Sequence, residues 1–183
     1  MDNSTENVTL FAAFVNDVLN VYKEKPDFHG PLSRMASGQD LSNPFNKVSM
    51  QTYNDMCNWI EQNIGKVNTK KVGREIGKTA FEAMKQHKLI GDKPTPRQVM
   101  DALVTVAAQM IQDPKQRGWE IISATTNSIV MRRTQTFNSS LQFGLLETLI
   151  SKTGVMLPAV DLQKSVEKGD QYDEYLITWK AIL

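Results

Sequence analysis

Few residues in this 183-residue chain could do covalent or metal chemistry, and their spacing argues against most of it. The two histidines, His29 and His87, form neither an H-x-x-x-H nor an H-E-x-x-H pair, so no helical zinc site is encoded. His87 alone could serve as an axial haem ligand, but the last turn of a helix also favours histidine through its dipole. The single cysteine, Cys57, permits neither an intramolecular disulfide nor a thiolate zinc cluster. It sits in an apolar stripe, where cysteine behaves as a small core residue. No G-x-S-x-G elbow and no phosphate-binding loop occurs. Ser139 and Ser140 precede an apolar run and read as first-turn helix residues.

The charged residues give softer signals. Asp170, Asp173 and Glu174 follow Gly169, without the ligand ladder of a calcium loop, and read as a solvated turn. Arg132 and Arg133 are neighbours in a strand pattern, so they point to opposite faces. Unless the strand is at an edge, one of them faces inward or toward a cleft. There it could hold an anionic ligand or pair across helix and sheet; at an edge it would oppose aggregation. Nine methionines, with Trp59, Phe81, Trp119, Phe137 and Phe143, suit either an adaptable apolar pocket or a plain core.

The elements that position these residues follow from periodicity. Val8, Phe11, Val15, Val18 and Tyr22 predict a helix over 6–24. Residues 25–48, rich in Pro, Gly, Ser and Asn, read as a long loop or linker. Tyr53, Met56, Cys57, Ile60 and Ile64 predict a helix over 49–64 that Gly65 stops. A third helix covers 69–88, with Gly73 and Gly77 on one face. That spacing leaves room for a ligand, for a partner backbone, or for tight helix packing, which is its commoner cause. Thr95, Pro96 and Gln98 form a capping box that opens a fourth helix, which Asp113-Pro114 ends. A hairpin follows, Trp119–Thr125 and Ser128–Thr136, then a helix over Asn138–Lys152. Strands over 157–167 and 172–180 complete the chain, the last with Tyr175, Ile177 and Trp179 on one face. Helices first and strands later define an α+β class: N-terminal helices, then an antiparallel sheet packed against helices. A natural division puts a helix and linker at 1–48 and a ligand-binding α+β domain at 49–183.

Bulk composition excludes whole classes of function. A net charge of +1, from 21 basic and 20 acidic residues, gives no electrostatic case for nucleic acid. The basic excess over 47–93 reads as a solvated helical surface. The polar, acidic start MDNSTENVTL is unlike a signal peptide, and no apolar run reaches the ~18 residues that span a bilayer. Together with the lone cysteine, this leads to the expectation of a cytoplasmic protein without a membrane span.

Residues 137–180 carry a family resemblance. The segments FNSSLQFGLLETLISKTG, VDLQKSVEKGD and QYDEYLITWK are similar to the core of the vinyl-reductase-type domain, a small-molecule-binding module of bacterial regulators. Related folds are the haem-based nitric-oxide sensing domains and the small subunits of the TRAPP tethering complex. The helix VGREIGKTAFEAM also resembles an earlier helix of that family, extending the likeness over 67–180. Many members hold a metal through cysteines at places that here look like Phe137, Ser165 and Asp173, so the resemblance brings no metal site to this chain. The haem sensors' proximal histidine has no match either. What the resemblance implies is an antiparallel sheet against helices, with a pocket or a dimer face and no reaction.

The combined expectation is a non-enzymatic sensory domain of bacterial signal transduction. It is dimeric, binds a small apolar molecule without a cofactor, and passes a signal to an output partner. Met84, Phe143 and Leu146 would line the pocket, and Arg132 or Arg133 would anchor its polar end. The alternatives are a protein-interaction module with a closed core and, more weakly, a haem-based gas sensor through His87.

Overall fold

The computed structural model describes residues 4–133 and 137–180. Its N-terminal stretch is not one helix but a short strand, β1 (Thr9–Phe11), running into α1 (Ala12–Tyr22). Val15, Val18 and Tyr22 are buried, as their spacing predicts. The stretch expected as a loop holds α2 (Pro26–Ala36) and β2 (Lys47–Ser49). Pro26 suits the first helical position, whereas Pro31 deprives the interior of one N–H. Tertiary packing offsets that loss: Leu32 and Ala36 are buried, and the Phe28 ring meets Tyr22 edge-on at 6.0 Å.

The next helices begin and end where the caps require. Ser49 opens α3 (Met50–Ile64) by accepting the Thr52 N–H, and Gly65, with φ +99°, separates it from α4 (Lys66–Gln86). The Thr95/Gln98 capping box opens α5 (Pro96–Met110). This helix stops before the Asp113-Pro114 signal because Ile111 turns extended and enters β3 (Ile111–Gln112). β1 lies between β2 and β3 in an antiparallel sheet, with Leu10 opposite both Val48 and Ile111. The expected division at 48/49 thus falls inside β2.

The last third follows its sequence closely. β4 (Trp119–Ala124) and β5 (Ser128–Arg133) form the hairpin, and α6 (Ser139–Ser151) follows, capped by Asn138 accepting the Leu141 N–H at 3.0 Å. Residues 134–136, expected in the second strand, lie outside the described residues. β6 (Met156–Lys164), a 3-10 turn over Val166–Lys168 and β7 (Asp173–Lys180) complete an antiparallel sheet of order β4-β5-β7-β6. Ile129, Met131 and Arg133 of β5, and Tyr175, Ile177 and Trp179 of β7, are buried at period two. The helices cover that face. No described helix is long and apolar enough to cross a membrane.

α6 lies between this sheet and α4, and is buried on nearly every side. Its contact with α4 runs backbone to backbone. A Cβ on Gly73 would stand 2.0 Å from the Leu141 carbonyl oxygen, and one on Gly144 2.0 Å from that of Lys70. At Gly77 a Cβ would meet Thr148 Cβ at 2.8 Å. Tight helix packing therefore accounts for the Gly73/Gly77 spacing, with Gly144 as the reciprocal glycine.

The α1–α4 contact contains a carboxyl that titrates late. Burial, with a smaller contribution from Glu75, pushes the Asp17 pKa up to about 6 against a hydrogen bond with Thr79, from an ordinary 3.8. The folded state therefore binds this proton more tightly than the unfolded chain. The associated stability is fully present below the unfolded pKa and is lost as pH rises through about 6. Asp17→Asn is expected to stabilise the domain at pH 7.5 by about 1 kcal/mol, once screening at this partly exposed site is allowed for, and so to raise its melting temperature. At pH 4 it should change little. Equal shifts at both values would show that the carboxyl is not the cause.

Candidate functional site

Helices α1, α3, α4, α5 and α6 and the start of β4 line a cavity of about 40 Å³. Ile76 and Ala80 of α4 form one wall, Leu103, Val106 and Met110 of α5 a second, and Leu141 and Leu145 of α6 a third. Aromatic rings close its ends, Phe14 and Tyr53 near α3 and Trp119 at the start of β4. A single water needs roughly 10–15 Å³, so this space exceeds an ordinary packing fault. No described wall residue carries a formal charge.

Tyr53, Trp119 and Gln142 bring polar side-chain atoms to the wall. Gln142 is 3% exposed, and its Oε1 has no hydrogen-bond partner. The Tyr53 phenol shares a hydrogen bond with Cys57, and burial holds its pKa well above the ordinary 10. Burial likewise pushes the Cys57 thiol up to about 12, as befits a core cysteine rather than a nucleophile. Gln142 escaped the sequence reading. Its signal was a single amide in an otherwise apolar turn, Leu141-Gln142-Phe143.

The residues singled out from sequence are placed differently from one another. Met84 and Leu146 are fully buried, and Phe143 packs edge-on to Tyr175 beneath the Lys70 ammonium. None of the three lines the cavity. Arg132 points outward, its Nη2 2.8 Å from Glu174 Oε1, and Tyr172 lies under its guanidinium. Hydrogen bonds from Lys164 and Arg132 hold the Glu174 carboxyl below its usual range. Arg133 points inward and pairs with Asp173, its partner across the strands.

Asp173 is the centre of a buried polar cluster. Its Oδ2 accepts from Arg133 and, at 3.0 Å, from the Ser139 hydroxyl, while Oδ1 accepts the Val166 N–H at 2.9 Å. Arg133 also donates to the Phe137 carbonyl. The reading of Asp173 and Glu174 as solvated turn acids is therefore corrected: they are 1% and 6% exposed, and cross-strand arginines pair with both. The Phe137 carbonyl, the Ser139 hydroxyl and the Val166 N–H complete the hydrogen bonding of this ion pair. No group of three or more His, Cys, Asp or Glu able to hold a metal occurs among the described residues. His87 is exposed at the C-terminal end of α4, and His29 is half-buried on α2 beside Ser33. Neither lines the cavity.

Six helices over two antiparallel sheets, with a cavity where the helices meet the four-stranded sheet, define an α+β architecture. It is the H-NOX fold. No protein-family model and no curated protein matches the sequence. Among solved structures, the Fe(II) unliganded H-NOX protein from K. algicida superposes with a TM-score of 0.67 at 11% identity, over 95% of this chain and 98% of that one. A mutant H-NOX protein from S. oneidensis gives 0.67 at 10% identity, over 94% and 97%. An oxygen-binding H-NOX domain related to soluble guanylate cyclases gives 0.63 at 14%, over 92% of each. At such identities the likeness is one of fold.

The residues present do not fit haem. Cofactor-sized pockets enclose roughly 300–1,000 Å³, against about 40 Å³ here. Haem iron takes an axial His, Cys or Tyr, or Met beside a His. No His or Cys is on the described walls, Tyr53 is held protonated by burial, and Met110 lacks a histidine to act with.

Proposed function

We propose that this chain is a non-enzymatic sensory domain that uses the H-NOX fold without haem. It binds a small, largely apolar molecule in the interior cavity. The observation that carries this reading is the apolar cavity itself, lined by α4, α5 and α6 at the face of the sheet. A ligand there would touch the helices that hold the domain together, so binding would bias their packing and pass to an output partner. On this reading Arg133 fastens α6 to the sheet through Asp173 and contacts no ligand. The relation to the vinyl-reductase-type domain, the cytoplasmic setting and a homodimeric state belong to the same proposal.

The test is haem titration and thermal melting on the purified protein. Added haem should give no saturable shift of the Soret band. Small apolar molecules should raise the melting temperature in a concentration-dependent way. A stoichiometric haem complex would instead support the gas-sensor alternative. No response to any compound would leave the interaction module.

That second reading has its own support. β6 is an edge strand that exposes Met156 and Leu157 at 55% and 65%. Exposed apolar edges invite strand pairing with another chain. Sedimentation of wild type against Leu157→Lys separates the two, since only an edge-mediated assembly dissociates.

A further inference from the structure

The interior cavity has a near neighbour on the surface. A groove of about 860 Å³ runs between α5, β3 and the start of β4. Ile111 and Trp119 line both spaces. Helix α5 also serves both, with Val106 and Met110 on the cavity and Val104 and Ala108 on the groove. Two other grooves, one beside Arg74 and Glu147 and one beside Asp17, share no lining residue with the cavity. The large groove has no His, Cys, Met or Tyr on its described walls, so it offers haem iron no axial ligand.

Ile111 and Trp119 also mark a seam in the fold. β3 is an edge strand of one sheet and β4 of the other, so no backbone ladder joins them. Side chains close the way inward there, with Ile111 7% and Trp119 6% exposed. The two are not equally fixed. Trp119 pairs with Arg133 on β5, and its ring centre is 5.7 Å from that of Tyr175. Ile111 belongs to a two-residue strand that pairs with β1 alone. The Arg117–Asp113 ion pair, at 2.6 Å and largely buried, closes the connection 113–118 on itself, so peeling the strands apart is costly. Movement of one isoleucine side chain is the cheaper opening. At the other end of the cavity the Tyr53 ring stands edge-on to both Phe14 and Phe137, at 6.2 and 5.9 Å, and each such contact is worth about 0.5–1.5 kcal/mol. We infer that small molecules reach the cavity from this groove, between Ile111 and Trp119, with the Ile111 side chain as the gate. The gate then sets how fast, and up to what size, molecules enter. The inference rests on the ligand-binding reading above and adds its route of access.

Xenon is the probe, because it is small and neutral and its exchange is read directly by saturation-transfer NMR. Affinity comes from titration, and entry and exit rates from exchange, in wild type, Ile111→Ala, Ile111→Val and Phe14→Leu. Ile111→Ala should speed entry and exit together by about tenfold, a barrier lower by ~1.4 kcal/mol. Their ratio, the affinity, should move by less than about threefold. Ile111→Val should do the same in smaller measure, and it keeps the test open should the alanine protein not fold. Phe14→Leu should leave both rates near those of wild type. Faster exit alone in the isoleucine variants would make Ile111 a plain wall residue and overturn the gate. Unchanged rates in both of them, or faster entry in Phe14→Leu instead, would overturn the route while xenon binding upheld the cavity. Failure of xenon to bind wild type would overturn the ligand-binding reading itself.

Discussion

Gly73→Ala is expected to destabilise the domain by roughly 3 kcal/mol or more, at the upper end for overpacked cores. Helix propensity alone gives the opposite sign, because alanine is the better helix former by about 1 kcal/mol. The added methyl would stand 2.0 Å from the Leu141 carbonyl oxygen and 3.0 Å from the Leu145 amide nitrogen. Those atoms belong to helix backbone and cannot rotate away, so α4 and α6 must separate. Separation would also move Ile76 and Ala80 away from Leu141 and Leu145, which face the same cavity. Gly144→Ala meets the Lys70 carbonyl in the same way and should behave alike. Gly91 has open space around it, so Gly91→Ala should stay within about 1 kcal/mol of wild type. Urea unfolding of the three variants measures this. A Gly73→Ala protein as stable as wild type would mean that the two helices do not touch through their backbones.

Arg133→Met should cost about 3–5 kcal/mol, the usual result of leaving one partner of a buried ion pair alone. Asp173 would remain 1% exposed, with Ser139 and the Val166 N–H as its only named donors. The pair also ties the start of α6 to β5 and β7, through the Phe137 carbonyl and the Ser139 hydroxyl. The double variant Arg133→Met/Asp173→Leu should recover most of the loss, since apolar replacement of a whole buried pair is often nearly neutral. Arg132→Met should cost much less, because Glu174 keeps Lys164 at 2.9 Å. Chemical denaturation of wild type, Arg133→Met, Asp173→Leu and the double variant closes the cycle, with Arg132→Met as the exposed control. If the double variant were no better than Arg133→Met, the loss would come from packing and not from a stranded charge.

The parts legible in the sequence are those fixed by local signals. The hairpin at Thr126-Asn127, the α6 leucine row and the alternation of Tyr175, Ile177 and Trp179 each repeat within a few residues, and each is found in place. The sheet β2-β1-β3 was not legible, because its strands have two or three residues and pair across long stretches of chain. The helix α2 was hidden by Gly30 and Pro31, whose local preference is outweighed by burial of Leu32 and Ala36. Alternation required one arginine of the Arg132/Arg133 pair to face inward. Choosing Arg133 needed the register that sets it opposite Asp173. Spacing exposed Gly73 and Gly77, whereas Gly144 lies among leucines and shows its role only when α4 is laid against it. The cavity was beyond reach altogether, since its walls come from residues as distant as Phe14 and Leu145.

The central claim is that an H-NOX fold here lines a small ligand cavity and holds no haem. A crystal grown from protein expressed with ample haem, then pressurised with xenon, tests it most directly. One xenon atom is expected between Ile76, Leu103 and Leu145, beside Gln142, and no tetrapyrrole. A tetrapyrrole in the density, or a core that admits no xenon, would contradict it.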